Sequence, residues 1–424
     1  MKKWLIIVLF SFIFLLSGCS KNISNIKFKN SKSFKNLNEV EYPDTEYLAY
    51  TQIDKSIKHN QYNYLNSFAS ITAKELFVSK QNYIYSPISL YMALGMLAQG
   101  ADGQTLDQIL TLLQSGTDKT LDDINNDLKN IYTRNYYSND KGMIQMANSI
   151  WINNNFEVKQ GFLDDLSTNY FAKAYNTNFD EQGKQNIVDW INHYTKDLLK
   201  IKKDNYIIDE STALLLLNTI YFDNKWEEEF KSKNNYKDIF YTEQEIEVEY
   251  MKHTVSSMYY EGDTYEIFYD YFKNSNKIKF IFPKENSSID ECLEKNIVEK
   301  ELDHTTGLIN VELTLSLPKF ETKSSYLLND VLSNLGVDLI FDESANFSKI
   351  SDKDLLVTFV KQDAGIILNE EGVKAAAVTG IGMAESAAPG DLITRVLNRP
   401  FIYVIQDNNN VPLFVGIIYN PNMK

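Results

Sequence analysis

Side chains with nucleophilic or metal-binding chemistry are few in this chain of 424 residues. There are two cysteines and four histidines, and neither set shows the close spacing of a zinc site. The chain also lacks a Gly-x-Ser-x-Gly elbow, a His-Glu-x-x-His motif and a Walker-type phosphate loop. We therefore predict that the protein is not an enzyme and that it binds neither a cofactor nor a metal.

Cys19 is the one side chain of this group that lies in a reactive pattern. Lys2 and Lys3 precede an apolar run, residues 4–16, that is short for a membrane span but suits a signal-peptide core. The run leads into Leu-Ser-Gly-Cys, which resembles the bacterial lipobox, whose cysteine thiol is acylated. We expect cleavage after residues 1–18 and a lipid on Cys19 that anchors the protein, on the extracytoplasmic side, to a bacterial envelope membrane or cell surface.

The chain after Cys19 divides into a linker and one domain. Up to about residue 46 it is rich in Asn, Ser and Lys and lacks periodic apolar residues. We expect residues 19–46 to form a flexible tether and residues 47–424 a single domain, because no linker composition recurs. A net charge of −15 argues against a role in binding nucleic acid, since phosphate neutralisation needs a basic surface.

Apolar periodicity predicts helices early in the domain and mostly strands later, which is an α+β class. The predicted helical segments are Tyr64–Val78 and Ile88–Leu113. The predicted strands are Val311–Leu317, Leu355–Val360, Ile366–Leu368, Phe401–Ile405 and Leu413–Tyr419. Residues 375–390 between them are small and nearly uncharged, and a long connection of this kind is typically functional. An Ala-rich helix ending at Gly380 is the alternative.

Groups of residues from about residue 60 to the C-terminus resemble, in order, the motifs of the serpin family of serine protease inhibitors. They are Ser86-Pro87-Ile88-Ser89; Leu217–Phe222 with Trp226 and Phe230; Leu317-Pro318-Lys319-Phe320; Leu335-Gly336-Val337 with Phe341 and Phe347; Asn398-Arg399-Pro400-Phe401; and Pro412–Gly416 with Asn420-Pro421. With Cys19, the chain is similar to a bacterial lipoprotein form of the family. The resemblance implies helices packed around three β-sheets and an exposed reactive-centre loop at about residues 372–396.

The loop begins with a segment that resembles the hinge of inhibitory serpins. The hinge residues are Glu370, Glu371, Gly372, Val373, Lys374, Ala375, Ala376 and Ala377, with Lys374 in place of a common glutamate. In the family, a protease attacks one bond of the loop, and the loop then inserts as a new central strand before the acyl-enzyme hydrolyses. Counting from Gly372 as the family does places the attacked bond between Ser386 and Ala387, within about two residues.

The resemblance also implies a group of residues in the region where the sheet must open. Its members are Ser86, Ser89, Asn218, Trp226 and Gln362, and Gln362 stands where the family usually has histidine. An amide can donate and accept hydrogen bonds as the imidazole does, so we expect Gln362 to join Ser86, Ser89 and Asn218.

We predict a monomeric inhibitor that traps serine proteases covalently, with cysteine proteases as a further target class. Residues 383–388 contain no Lys or Arg, which favours elastase-like or subtilisin-like proteases over trypsin-like ones. Two alternatives stay open: a non-inhibitory serpin acting as a chaperone or adhesion protein, and a ligand-binding surface lipoprotein. Strand alternation further predicts that Val373, Ala375 and Ala377 face the core after insertion, and that Lys374 faces water.

Overall fold

The computed structural model describes residues 34–43, 61–77, 80–205, 208–210, 212–294, 300, 307–373 and 391–423. Within these ranges no helix is long and apolar enough to cross a lipid bilayer. The helices are α1 (Asn63–Leu76), α2 (Pro87–Gly100), α3 (Gly103–Gln114), α4 (Leu121–Arg134), α5 (Gln160–Tyr170), α6 (Glu181–Tyr194), α7 (Ile289–Glu294) and α8 (Asn329–Asn334).

Helix α2 begins where the sequence supplies a cap and lies almost wholly inside the fold. The Ser86 Oγ accepts a hydrogen bond from the Ser89 N–H at 3.3 Å, and Pro87, which has no N–H to leave unpaired, occupies the first turn. The predicted helix over 88–113 is divided in two, because the chain turns after α2 and Gly103 adopts a left-handed backbone with φ +52°. The predicted helix over 64–78 is confirmed as α1, which begins at Asn63 and ends at Leu76.

The strands confirm the α+β class. They are β1 (Phe34–Asn36), β2 (Tyr83–Tyr85), β3 (Tyr137–Asn139), β4 (Gly142–Asn153), β5 (Lys173–Thr177), β6 (Leu214–Lys225), β7 (Tyr236–Tyr241), β8 (Glu245–Glu261), β9 (Tyr265–Tyr271), β10 (Lys277–Pro283), β11 (Ile309–Pro318), β12 (Phe320–Leu327), β13 (Lys361–Asn369), β14 (Gly372–Val373), β15 (Asp391–Val396), β16 (Phe401–Gln406) and β17 (Pro412–Ile418).

An eight-stranded sheet carries the hinge. Its order is β1-β5-β4-β6-β14-β13-β12, with β3 paired to β4 beside this path. Strands β4 and β6 are antiparallel, from the pair Gly142↔Asn224 at one end to Ile152↔Leu214 at the other. We call the end with Gly142 and Asn224, where β14 lies, the loop end, and the opposite end the far end.

The second sheet has nine strands, in the order β15-β11-β8-β9-β10-β16-β17-β2, with β7 paired to β8. The described residues form two hydrogen-bonded sheets, because β8, which is 17 residues long, pairs successively with β7, β11 and β9 and so joins them in one sheet. The main apolar core packs helices α1 and α2 against these sheets.

Residues 34–43, which we call the N-terminal strap, correct the expected flexible tether and the expected domain start at residue 47. Strand β1 pairs with β5, and the Asn38 amide donates to the Ala172 carbonyl oxygen at 3.0 Å and accepts from the Ala174 N–H at 2.8 Å. The Tyr42 ring stacks on Tyr136 with centroids 5.8 Å apart. The strap is thus part of the folded body, because its polar side chains satisfy the backbone of an edge strand.

Leu355–Val360 was expected to be a strand, and that prediction is wrong. Its backbone hydrogen bonds are not part of a strand ladder. The Val357 N–H donates to the Ile340 carbonyl oxygen, and the Val360 carbonyl oxygen accepts from the Leu328 N–H, both at 2.8 Å. The segment is therefore an irregular connection held by its neighbours. The other predicted strands lie within β11, β13, β16 and β17, apart from Tyr419, which follows the last residue of β17.

Candidate functional site: the hinge of the reactive loop

Strand β14 is the part of the predicted hinge that lies inside the sheet. Gly372 and Val373 pair with Lys225 and Asn224 of β6 on one side and with β13 on the other. Val373 is 2% exposed and belongs to the main core. The hinge has therefore already entered the space between β6 and β13, with Val373 on the core face.

Below β14, towards the far end, β6 and β13 are not joined by a ladder of their own in the described part of the chain. A cavity of about 40 Å³ lies there, and its lining is mostly apolar: Leu90, Leu94, Leu97, Leu214, Leu216, Phe359 and Val360 among others. A strand that continued β14 in the same direction would lie over this cavity and between the two strands. The position suits the small side chains of the sequence after Val373.

Gly372 lies where only glycine fits. A Cβ on this residue would stand 2.1 Å from the Asn224 carbonyl oxygen and 2.8 Å from the Lys225 Cα, far inside van der Waals contact. Both neighbours are backbone atoms of β6 and cannot swing aside as a side chain can. The absence of a side chain at residue 372 therefore lets the hinge approach β6 closely enough to pair.

Trp226 braces the chain just before the hinge. The Trp226 indole Nε1 donates to the Asn369 carbonyl oxygen at 2.8 Å, and its backbone N–H donates to the Glu371 carbonyl oxygen at 3.1 Å. The ring is fully buried and stacks on Phe272 with centroids 4.8 Å apart. The Phe230 N–H adds a bond to the Glu370 carbonyl oxygen at 3.2 Å. The turn from β13 to β14 is thus fixed through its carbonyl groups.

Glu370 lies in a charged cluster beside this turn. The Lys319 Nζ donates to Glu370 at 3.0 Å and to Glu249 at 2.8 Å, and the Asn235 amide donates to both carboxylates. Burial raises the pKa of Glu370, but hydrogen bonds from Asn235 and Lys319 outweigh it and hold the pKa below its ordinary value. The carboxylate is therefore stabilised in its charged form.

The side chain of Gln362 contacts Ser86, as expected, but it bonds to the backbone of Ser86 and not to its hydroxyl. Its Oε1 accepts from the Ser86 N–H and its Nε2 donates to the Ser86 carbonyl oxygen, each at 2.9 Å. The Ser86 hydroxyl meanwhile caps α2 at the Ser89 N–H. The amide thus couples β13 to the start of α2.

Asn218 does not join that group, which corrects the expected four-residue cluster. Its amide donates to the Asn148 side chain on β4, and the Asn148 amide donates to the Tyr170 carbonyl oxygen at 2.6 Å. In the described residues, the Ser89 Oγ and the Asn218 Oδ1 have no hydrogen-bond partner. A cavity of about 10 Å³, roughly the size of one water molecule, lies between the two halves.

The remaining predicted site residues lie outside the described ranges. They are Cys19, Lys374, Ala375, Ala376, Ala377, Ser386 and Ala387. Lys319, Trp226 and Phe230 belong to the sequence motifs, but the motifs predict no role at the hinge for Lys319 or Phe230. Asn235 and Glu249 could not be predicted as members of this cluster, because one asparagine and one glutamate in an acidic chain give no distinguishing sequence signal.

Comparison with known proteins decides the family. The family model described as Serpin (serine protease inhibitor) matches residues 63–421, which is most of the chain. The chain is a serpin.

Relatives of this serpin come from organisms that are distant from one another. It is 28% identical over 356 residues to serine proteinase inhibitor A3K of Cavia porcellus, covering 81% of this chain and 84% of the relative. It is 27% identical over 427 residues to an uncharacterized serpin-like protein of Methanosarcina mazei, covering 97% and 96%. Among solved structures, native tengpin, a thermophilic serpin, matches with a TM-score of 0.77 and 28% identity over 92% of this chain and 100% of that one. Latent tengpin matches with a TM-score of 0.72 and 26% identity, covering 87% and 100%.

Proposed function

We propose that this serpin inhibits serine proteases as a suicide substrate, and that a lipid on Cys19 tethers it to the cell envelope. The observation that carries the first part is β14, a two-residue strand of the hinge that already pairs with β6 and β13. It lies at the loop end of the space between β6 and β13, which we call the insertion cleft and which is lined mostly by apolar side chains.

The chemistry begins with the protease. Its serine Oγ attacks the carbonyl carbon of Ser386, the Ser386–Ala387 bond breaks, and the Ala387 amine leaves with a proton. The serpin is then an ester of the protease. Cleavage frees the chain after Val373, which extends β14 between β6 and β13 and carries the esterified protease with it.

Inhibition depends on insertion being faster than hydrolysis of the ester. Each new backbone hydrogen bond contributes a net 0.5 to 1.5 kcal/mol, so a strand of about fifteen residues supplies a driving force on the order of ten kcal/mol. The inserted chain would meet apolar side chains on the core face of the cleft, and the burial of Val373 supports placing every second residue from Val373 onward on that face. Ala375 and Ala377 share that parity and are small enough to pass between the strands.

Incubation with elastase followed by a denaturing gel tests inhibition. We expect a band at the summed mass of serpin and elastase that survives boiling in detergent. Loop cleavage alone would indicate a non-inhibitory serpin, and an intact loop would indicate a ligand-binding lipoprotein. The anchor is tested by Cys19→Ala, which should release the protein or leave the precursor uncleaved. Radiolabelled palmitate entering that variant would contradict the assignment of Cys19.

A further inference from the structure

We infer that the lipid anchor and the reactive loop lie at opposite poles of the domain, so that a trapped protease is carried towards the membrane. The inference rests on the proposed function for both the anchor and the insertion. It concerns the orientation of the domain, which neither the anchor motif nor the hinge specifies by itself. The observation that carries it is the register of the N-terminal strap on the eight-stranded sheet.

The strap enters the fold at the far end of the sheet. Strand β5 is parallel to β4, and Asn153, at the far end of β4, pairs with Thr177. Strand β1 is antiparallel to β5, and its first residue, Phe34, also pairs with Thr177. Phe34 is therefore level with Asn153, whereas Gly142 at the other end of β4 is level with the hinge. The eleven steps from Gly142 to Asn153 correspond to about 36 Å along the strand.

The direction of β1 determines where the preceding chain leaves. From Phe34 to Asn36 the strand runs towards the loop end, because it is antiparallel to β5. The bonds of Asn38 to Ala172 and Ala174 continue this course. The chain on the Cys19 side of Phe34 therefore departs from the far end, away from the reactive loop.

The strap also limits how far the domain can stand from the membrane. A tether over residues 19–46 would span up to about 95 Å, but the strap fixes the chain from Phe34 onward, and residues 19–33 span at most about 50 Å. The domain is thus held close to the lipid by its far end.

Insertion brings the protease to the same end. A strand that continues β14 runs antiparallel to β6 and β13, as β14 does, and so points from the loop end to the far end. Fifteen residues of strand cover about 50 Å, which is more than the distance of about 36 Å between the two ends of β4. The esterified residue then lies at the far end, beside the root of the tether.

The diameter of a protease and the reach of the tether are similar, and this similarity makes the arrangement testable. A protease of about 230 residues is roughly 45 Å across, which the tether of about 50 Å just accommodates between domain and membrane. Removal of residues 22–29 leaves a reach of about 24 Å, so the protease would collide with the bilayer before the strand is complete. Slower insertion gives hydrolysis time to release the protease.

The experiment uses the lipidated full chain in liposomes, with elastase as the protease. Three forms are compared: the parent, a deletion of residues 22–29, and a control in which the same eight positions are replaced by Gly and Ser. We expect the ratio of covalent complex to cleaved serpin to fall on the order of fivefold for the deletion alone. The same three chains carrying Cys19→Ala in solution should all trap equally. If the deletion variant and the parent trap elastase equally on liposomes, the inference that the anchor and the reactive loop lie at opposite poles is wrong.

A second measurement tests the orientation even if no protease is trapped. A fluorophore is placed on Asn154→Cys at the far end or on Asp140→Cys at the loop end, both at exposed positions, while the native Cys292 is buried. Energy transfer to an acceptor on lipid headgroups should be stronger from residue 154 than from residue 140. Equal transfer, or stronger transfer from residue 140, would contradict the inference. Absence of a covalent complex in solution would instead count against the proposed inhibition.

Discussion

The side chain of Gln362 satisfies both backbone polar groups of Ser86, although the two residues are 276 positions apart in the chain. The pair is buried and joins β13, one wall of the insertion cleft, to the first turn of α2. Asn218, on the opposite wall, bonds to Asn148 instead. Gln362 on β13 and Asn218 on β6 thus belong to separate hydrogen-bonded groups. The two strands can therefore separate without breaking a hydrogen bond between these side chains.

We predict that Gln362→Ala destabilises the protein. It leaves the buried Ser86 N–H without its amide partner, while the Ser86 carbonyl oxygen keeps its bond from the Leu90 N–H, at a cost of about 1 to 3 kcal/mol. The midpoint of urea unfolding, followed by circular dichroism, should fall accordingly. The matched control is Gln104→Ala at an exposed glutamine, which should change the midpoint little. Equal midpoints for the two variants would show that the amide contributes nothing.

The stability of the hinge should depend on pH through Glu370. Because its pKa is below the ordinary value of 4.5, the carboxylate stabilises the fold above that pH, and the contribution is lost as the pH falls through the lowered pKa. Glu370→Gln should lower the melting temperature at neutral pH by on the order of 2 to 4 °C and flatten its decline below pH 4.5. The exposed Glu245→Gln on β8 is the control. Parallel pH profiles for parent and Glu370→Gln would refute the role of Glu370.

Gly372→Ala should force β14 out of the sheet. The added Cβ would lie 2.1 Å from the Asn224 carbonyl oxygen, and insertion of the cleaved loop would meet the same obstacle. We expect faster proteolysis near Val373 and a larger share of cleaved, released serpin in an elastase titration. Gly161→Ala in α5, where no atom lies within 4 Å of the new Cβ, is the matched control. An unchanged partition for Gly372→Ala would mean that this close approach does not matter.

Strand parity predicts opposite outcomes for neighbouring residues of the loop. Ala375→Arg and Ala377→Arg place a charge on the core face, where an unpaired charge costs several kcal/mol, and should turn the inhibitor into a substrate. Lys374→Arg keeps a charge that faces water and should leave the stoichiometry of inhibition unchanged. Titration of each variant against elastase measures this directly. Efficient trapping by both core-face variants would disprove insertion with this parity.

Elements with strong local signals can be predicted from the sequence. The apolar spacing around Leu65 and Phe68 predicted α1, and the alternation after Val311 predicted β11. The prediction of a strand over Leu355–Val360 is wrong, because this apolar run makes its backbone hydrogen bonds with Ile340 and Leu328 rather than with a neighbouring strand. The spacing of apolar residues alone cannot show which group a backbone N–H or carbonyl forms its hydrogen bond with.

The N-terminal strap and the sheet-opening residues show the same limit. Residues 34–43 have the polar composition of a linker, yet Asn38 uses its polar amide to pair with the chain 134 and 136 positions away. Family resemblance placed Gln362 near Ser86, but it could not show that the amide would bind backbone and leave Asn218 to Asn148. In both cases long-range hydrogen bonding, which no local pattern encodes, determined the outcome.

The most direct test of the account is the melting temperature before and after a single cut in the loop between Gly380 and Pro389. If the freed strand enters between β6 and β13, its new hydrogen bonds stabilise the cleaved form by on the order of ten kcal/mol. Calorimetry should then show a melting temperature higher by roughly 10 °C or more in the cleaved protein. A melting temperature that stays equal or falls after the cut would contradict insertion.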